Sequence, residues 1–142
     1  MSDMWISERM LEDHKRIEKK LLELSEIITK EPDKAGQAFR DFKWAFHNHI
    51  AIEENAIFQG LTTSEVSEYG KIRDVINEHR ELLEMLETIE KDIGSGKEIS
   101  MDNFAARLLE HRDFEDNTLY PMLDQQLDEG HKKMILARIE KA

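Results

Sequence analysis

Residues 49 to 61 read HIAIEENAIFQGL, and residues 111 to 123 read HRDFEDNTLYPML. His49 matches His111, Glu53 matches Glu115, Asn55 matches Asn117 and Leu61 matches Leu123, while Glu54 answers Asp116, Ile57 answers Leu119 and Phe58 answers Tyr120. Both copies therefore carry His-x-x-x-Glu. On an α-helix, residues four apart share a face, with Cβ atoms about 6 Å apart, so each copy aims an imidazole and a carboxylate at one point. Two copies in one fold can aim at a shared point.

The repeat extends upstream of each copy. At an offset of sixty-five residues His14 pairs with His79, Ile17 with Leu82, Leu21 with Leu86, Leu24 with Ile89 and Ile28 with Ile93. Each half reads His, an apolar helical stripe, a loop, then His-x-x-x-Glu. The change of offset from sixty-five to sixty-two falls between the two helices of each half, where a loop absorbs it.

Composition limits what the repeat can build. The 142 residues suit a single domain spanning 1–142, with repeat halves at about 8–61 and 67–123. A charged fraction of 36% against 39% hydrophobic residues fits amphipathic helices with solvated outer faces. The absence of cysteine removes disulfides, thiolate nucleophiles and thiolate metal sites, so any metal must be held by nitrogen and oxygen. A net charge of -11 repels phosphate backbones, and no run reaches the roughly 20 apolar residues that span a bilayer. The expectation is a cytoplasmic protein that engages neither nucleic acid nor membrane.

The pattern predicts an all-α fold. A first helix runs from about Glu8, capped by Ser7, to Thr29, with Leu11, His14, Ile17, Leu21, Leu24 and Ile28 on one face. A second runs from Asp33 to Phe58, and a third from near Ser64 or Ser67 to Ile93, where Gly94-Ser95-Gly96 stops it. Ser100 caps a fourth, with Pro121 marking its end or a kink, and a shorter helix covers about 128–140. Long helices joined by short loops give an up-down-up-down four-helix bundle. Chain reversal then places His14, early in the first helix, level with His49, late in the second, and the same holds for His79 and His111.

Those four histidines, one per helix, together with Glu53 and Glu115, form the candidate metal site. Burying two carboxylates without a cation is costly, and four imidazoles with two carboxylates suit two divalent ions of iron, manganese or zinc. Glu18, four residues after His14, is a further candidate ligand, although a solvated face is the plainer reading of it. Glu54 and Asp116 lie about 140° around the helix from their histidines, better placed to support ligands or meet water than to bind metal. His47 and His131 read as peripheral, and Phe42, Phe46, Phe58, Phe104, Leu108 and Tyr120 as core packing that keeps a site dry.

In its order and spacing the set His14, His49-Ile-Ala-Ile-Glu53, His79, His111-Arg-Asp-Phe-Glu115 and Leu119-Tyr120-Pro121 resembles the hemerythrin-like, or HHE cation-binding, family. The resemblance runs from about residue 8 to 125. It implies a non-haem di-iron centre, oxo- or hydroxo-bridged, with terminal histidines, Glu53 and Glu115 bridging, and an open coordination position for oxygen or nitric oxide. Oxygen-carrying members have a fifth histidine on the third helix, where this chain has Val75 and Leu83 around His79, and an aspartate five residues after the last histidine, where this chain has Glu115 at four. These departures favour sensing, iron handling or redox chemistry over simple oxygen carriage. The rival readings are a di-iron enzyme that reduces oxygen or peroxide, and a metal-free bundle that docks through Trp5, Trp44 or its final helix.

Overall fold

A computed structural model describes residues 5–59, 61 and 69–141. Among these the structure is helical without strands. It comprises α1 (Ile6–Lys30), α2 (Ala35–Ile52), α3 (Tyr69–Gly94), α4 (Asp102–Phe114), α5 (Tyr120–Gln126) and α6 (Glu129–Lys141). A 3-10 turn, Pro32–Lys34, joins α1 to α2. Helix α2 packs on α1 and α3, α3 packs on α4, and α5, which continues the line of α4, returns to α1. The result is the expected up-down-up-down bundle with a short C-terminal helix. No described helix is long and apolar enough to cross a membrane.

Both repeat helices that carry His-x-x-x-Glu widen at the glutamate. Glu53–Phe58 and Glu115–Leu119 are π-helical turns, with the Gln59 N–H reaching the Glu54 carbonyl and the Tyr120 N–H reaching the Glu115 carbonyl, five residues back. An extra residue in the turn rotates the next side chains about the helix axis, so that the adjacent pairs Ile57-Phe58 and Leu119-Tyr120 are all buried. Sequence periodicity, which assumes 3.6 residues per turn, does not announce such a turn. Pro121 accordingly does not end the helix: it comes after the widened turn, in the first turn of α5, which continues to Gln126.

The ends of the helices obey local rules, with one correction. Gly96 takes a left-handed φ of 73°, and the N–H groups of Gly96 and Lys97 reach the carbonyls of Ile93 and Asp92, a glycine-dependent stop for α3. The Ser100 hydroxyl accepts the Asp102 N–H at 3.1 Å. Ser7, however, lies inside α1 rather than capping it. The Asp124 carboxylate of α5 accepts the N–H of Ile6 at 2.9 Å, the N–H of Ser7 at 3.1 Å and the Ser7 hydroxyl at 2.7 Å. A residue 117 positions away thus satisfies donors that a local cap would have taken. The expected start of the third helix at Ser64 or Ser67 lies outside the described residues.

Two apolar clusters fill the bundle. One gathers Ile6, Met10, Ile57, Phe58, Ile72, Val75, Leu119, Tyr120 and Leu123 with Ile135 and Ile139 of α6. The other gathers Ile17, Leu21, Leu24, Phe39, Phe42, Phe46, Leu82, Leu86, Phe104 and Leu108. The final helix therefore uses its apolar face in the core. Trp5, 47% exposed, lies under the Lys132 ammonium at 4.4 Å, and Trp44 is 72% exposed.

Phe104 is fully buried and meets Phe42 and Phe46 edge-on, with ring centroids 5.9 and 5.5 Å away. Phe104→Ala should cost about 3–5 kcal/mol, whereas Leu22→Ala, at a position 68% exposed, should change stability by less than about 0.5 kcal/mol. Asp124→Ala should cost about 1–2 kcal/mol through the lost cap. Urea unfolding of the metal-free protein ranks the three.

Candidate metal centre

Between the two apolar clusters lies a polar layer. His14 follows Met10 and precedes Ile17 on α1, His79 stands between Val75 and Leu82 on α3, and His49 and His111 follow Phe46 and Leu108 by one turn. All four imidazoles and both carboxylates, Glu53 and Glu115, are at most 7% exposed. The bundle brings all six expected residues together.

The arrangement has the approximate twofold symmetry of the sequence. His14 and His49 meet edge-on with ring centroids 5.0 Å apart, and His79 and His111 do the same at 4.9 Å. Each glutamate lies between the two pairs. Glu53 Oε1 is 2.9 Å from His49 Nε2 and 3.3 Å from His79 Nε2, while Glu115 Oε1 is 3.3 Å from both His111 Nε2 and His14 Nε2. Donor atoms of Glu53, His79, His111 and Glu115 fall within 4.8 Å of one another, as do those of His14, His49 and Glu53. These are two clusters that could each hold an ion, sharing Glu53.

Outer carboxylates turn the rings inward. Asp116 holds His14 Nδ1 at 2.7 Å, Glu54 holds His79 Nδ1 at 2.8 Å, and Glu78 holds His111 Nδ1 at 2.7 Å. With Nδ1 fixed in this way, Nε2 is left to face the centre, the arrangement that metal-binding histidines use. Glu54 and Asp116 are repeat partners serving the repeat partners His79 and His14, each reaching across to the other hairpin. Asp13, the repeat partner of Glu78, instead accepts from Arg9 and Arg16 through Oδ1, and its buried Oδ2 has no hydrogen-bond partner. Glu18 is not among the converging donors: its carboxylate pairs with Arg112.

Tyr120, legible in sequence only as packing, belongs to the centre. Its hydroxyl donates to Glu53 Oε2 and lies 3.3 Å from Glu115 Oε2, and the side chain is fully buried. Its repeat partner is Phe58, onto which it stacks at 6.5 Å, so the added hydroxyl was the available signal. The signal for Glu78 was an acidic residue directly before the first histidine of each half, Asp13-His14 and Glu78-His79.

Burial and charge oppose one another here, and charge decides. Burial alone would depress the pKa of His14, but Asp116, Glu115 and Glu53 raise it to about 10. Burial likewise opposes protonation of His79, and Glu115 and Glu53 raise it to about 11. His111 is raised by Glu115, Glu53 and Glu78 against the same burial. Burial pushes Glu115 up, but contacts with Glu53 and with His111, His14 and His79 hold it well below the usual carboxylate range. Burial and the Glu115 charge push Glu53 up while His49 pulls it down, and the net direction is below the usual carboxylate range. Burial, then the two carboxylate charges, push Tyr120 well above its ordinary value, so it keeps its proton.

The donors fit a metal by a direct test. Nε2 of His14, His79 and His111 and Oε1 of Glu53 are buried without a hydrogen-bond partner, though buried polar atoms are normally paired. They face a common space lined also by Ile17, Phe46, Ile50 and Leu108, with about 10 Å³ for the centre of a water-sized sphere.

Neither the curated proteins nor the solved structures give a match. The family model described as the hemerythrin HHE cation-binding domain matches residues 6–123, which include both hairpins and every converging side chain. The chain belongs to the hemerythrin HHE cation-binding family.

Proposed function

We propose that the chain is a non-haem di-iron protein that binds or senses oxygen, nitric oxide or iron status. One ion would rest on His14 and His49, the other on His79 and His111, with Glu53 and Glu115 shared between them. The observation that carries this reading is the placement of each glutamate between an imidazole of one hairpin and an imidazole of the other. Four nitrogen donors and two carboxylates leave positions open on a pair of six-coordinate ions. When bound, iron supplies Lewis acidity and one-electron redox chemistry. The chain supplies the rest: Asp116, Glu54 and Glu78 orient the rings, Tyr120 fixes the carboxylates, and Phe46, Ile50 and Leu108 exclude water.

A second reading, a di-iron enzyme that reduces oxygen or peroxide, gains support from Tyr120, a proton-bearing group beside the shared carboxylates. Steady peroxide turnover, slowed at least about tenfold in Tyr120→Phe while iron content persists, would favour the enzyme. Turnover no faster than that of free iron would leave the binding role.

Reconstitution with ferrous iron under argon, followed by air, should yield about two irons per chain and visible absorption from the ferric centre. His49→Ala and Glu53→Ala should each lose iron while remaining helical by circular dichroism. No iron retained by the parent chain, with zinc or nothing in its place, would sink the di-iron assignment.

In the metal-free protein the histidine protons balance the buried carboxylates, so metal must displace them. Loading at pH 7.5 in weak buffer should release about two or more protons per chain, led by His14 and His79 with their pKa values of about 10 and 11. The same shifts set the stability profile without metal. A raised histidine pKa stabilises the fold fully below about pH 6.5, and that contribution fades as pH rises toward 10 and 11. The lowered Glu53 and Glu115 act oppositely, stabilising above the ordinary carboxylate range and losing that effect in acid. Urea unfolding midpoints should therefore peak near about pH 5–6. A midpoint that keeps rising to about pH 10 would contradict the protonated histidines.

A further inference from the structure

The twofold correspondence of the two halves fails at one place beside the metal centre. Residue 50 is isoleucine where its repeat partner, residue 112, is arginine, and residue 83 is leucine where its partner, residue 18, is glutamate. Arg112 of α4 pairs with Glu18 of α1 through Nη2. Both side chains line the small cavity on which the histidines converge, and they are 24% and 32% exposed. Both are partly exposed, whereas the histidine and glutamate donors beside them are buried. The guanidinium also lies 3.7 Å from Asp113 and 3.8 Å from Asp116, and its Nε–H is buried with no hydrogen-bond partner.

Packing does not require charge at this position, since Ile50 and Leu83 occupy the matching positions without it. Drawing an ion pair partly out of water costs desolvation that an apolar pair avoids. Contacts of the guanidinium with Glu18, Asp113 and Asp116 offset part of that cost, and the charges stand beside a dry cavity, where they are screened least.

We propose that Arg112 and Glu18 form the entrance and charge filter of the metal site, making its preferred exogenous ligand a small anion attracted by Arg112 and restrained by Glu18. This rests on the di-iron reading and narrows its ligand class. Oxygen- or nitrogen-derived anions gain from the guanidinium, whereas neutral diatomics do not. Arg112 thereby becomes the specificity-determining residue of the open face.

The test uses the full chain loaded with iron, with azide as the anionic probe of the oxidised form and nitric oxide as the neutral probe of the ferrous form. Iron content, azide affinity from its charge-transfer band, and association rates of both probes are measured at low and high salt. Glu18→Gln should bind azide about fivefold faster and tighter, and Arg112→Gln about fivefold more weakly, with the contrast shrinking in salt. Nitric oxide should move by less than about twofold in both. The paired Glu18→Leu and Arg112→Ile variant copies the apolar wall of the other half; the two opposite effects cancel, so its azide affinity should stay within about twofold of the parent while the salt dependence of its azide association rate falls. That loss of salt dependence decides the matter if a single variant fails to fold or load.

Azide affinities of iron-loaded Glu18→Gln and Arg112→Gln within about twofold of the parent would overturn the charge filter, as would a paired variant with the parent's salt dependence, or azide and nitric oxide rates that shift by the same factor. In each case the parent would still take up iron, leaving the di-iron reading intact. A parent chain that holds no iron would fail that reading first, and this proposal with it.

Discussion

Two carboxylates buried in the middle of an apolar bundle are the constraint on which the rest of this structure depends. Glu53 and Glu115 are each 1% exposed, and an unpaired charge at such depth would neutralise or unfold its surroundings. The fold answers by surrounding each with imidazoles from both hairpins, so the halves are held together by imidazole–carboxylate contacts as well as by shared apolar surface. Breaking a buried pair typically costs about 3–5 kcal/mol. An exposed pair such as Arg107–Glu81 is screened by solvent and contributes little. Losing one member of the polar layer is therefore costlier than losing one member of a surface pair.

The same constraint explains the concentric order of the site. Imidazoles that must face inward need something to hold their outer nitrogens, and Asp116, Glu54 and Glu78 do so. Each reaches from a helix other than the one bearing its histidine. Protons and metal are alternative counter-charges for one arrangement. Raised histidine pKa values keep the cluster close to balanced; on the proposed reading a cation would take the place of those protons.

Much of this was legible in the sequence, because repetition is a stronger signal than any single motif. His-x-x-x-Glu alone says little, but two copies at matching depth, each preceded by a histidine and an apolar stripe, specify the bundle, its chain direction and the meeting point of six side chains. The features that stayed hidden depend on contacts made across the fold. Asp124 was one acidic residue among many, and only tertiary structure brings it to the start of α1, displacing Ser7 as the cap. Tyr120 read as one more core aromatic because the widened turn at Glu115, which rotates it inward, leaves no mark in a period of 3.6. Pro121 read as an end or a kink for the same reason. Glu78 was partly legible: the acid-histidine pair recurs in both halves, but its partner is His111 rather than the adjacent His79.

Where the two halves agree and where they differ divide the labour of the molecule. Matching positions build the frame: His14 with His79, His49 with His111, Glu53 with Glu115, Glu54 with Asp116. A site made only of these would present two equivalent walls and two equivalent approaches. Three departures remove the equivalence. Phe58 gives way to Tyr120, placing one hydroxyl at the carboxylates; Ile50 and Leu83 give way to Arg112 and Glu18, placing one ion pair at the cavity mouth; and Asp13, matched to Glu78, is occupied by Arg9 and Arg16. Each departure puts a polar or charged group on one side only, so the two ions would meet different electrostatic surroundings despite similar ligands. A symmetric frame would hold the proposed metal pair with few distinct parts, and its asymmetric exceptions are where a ligand would be told from water, and one metal from the other.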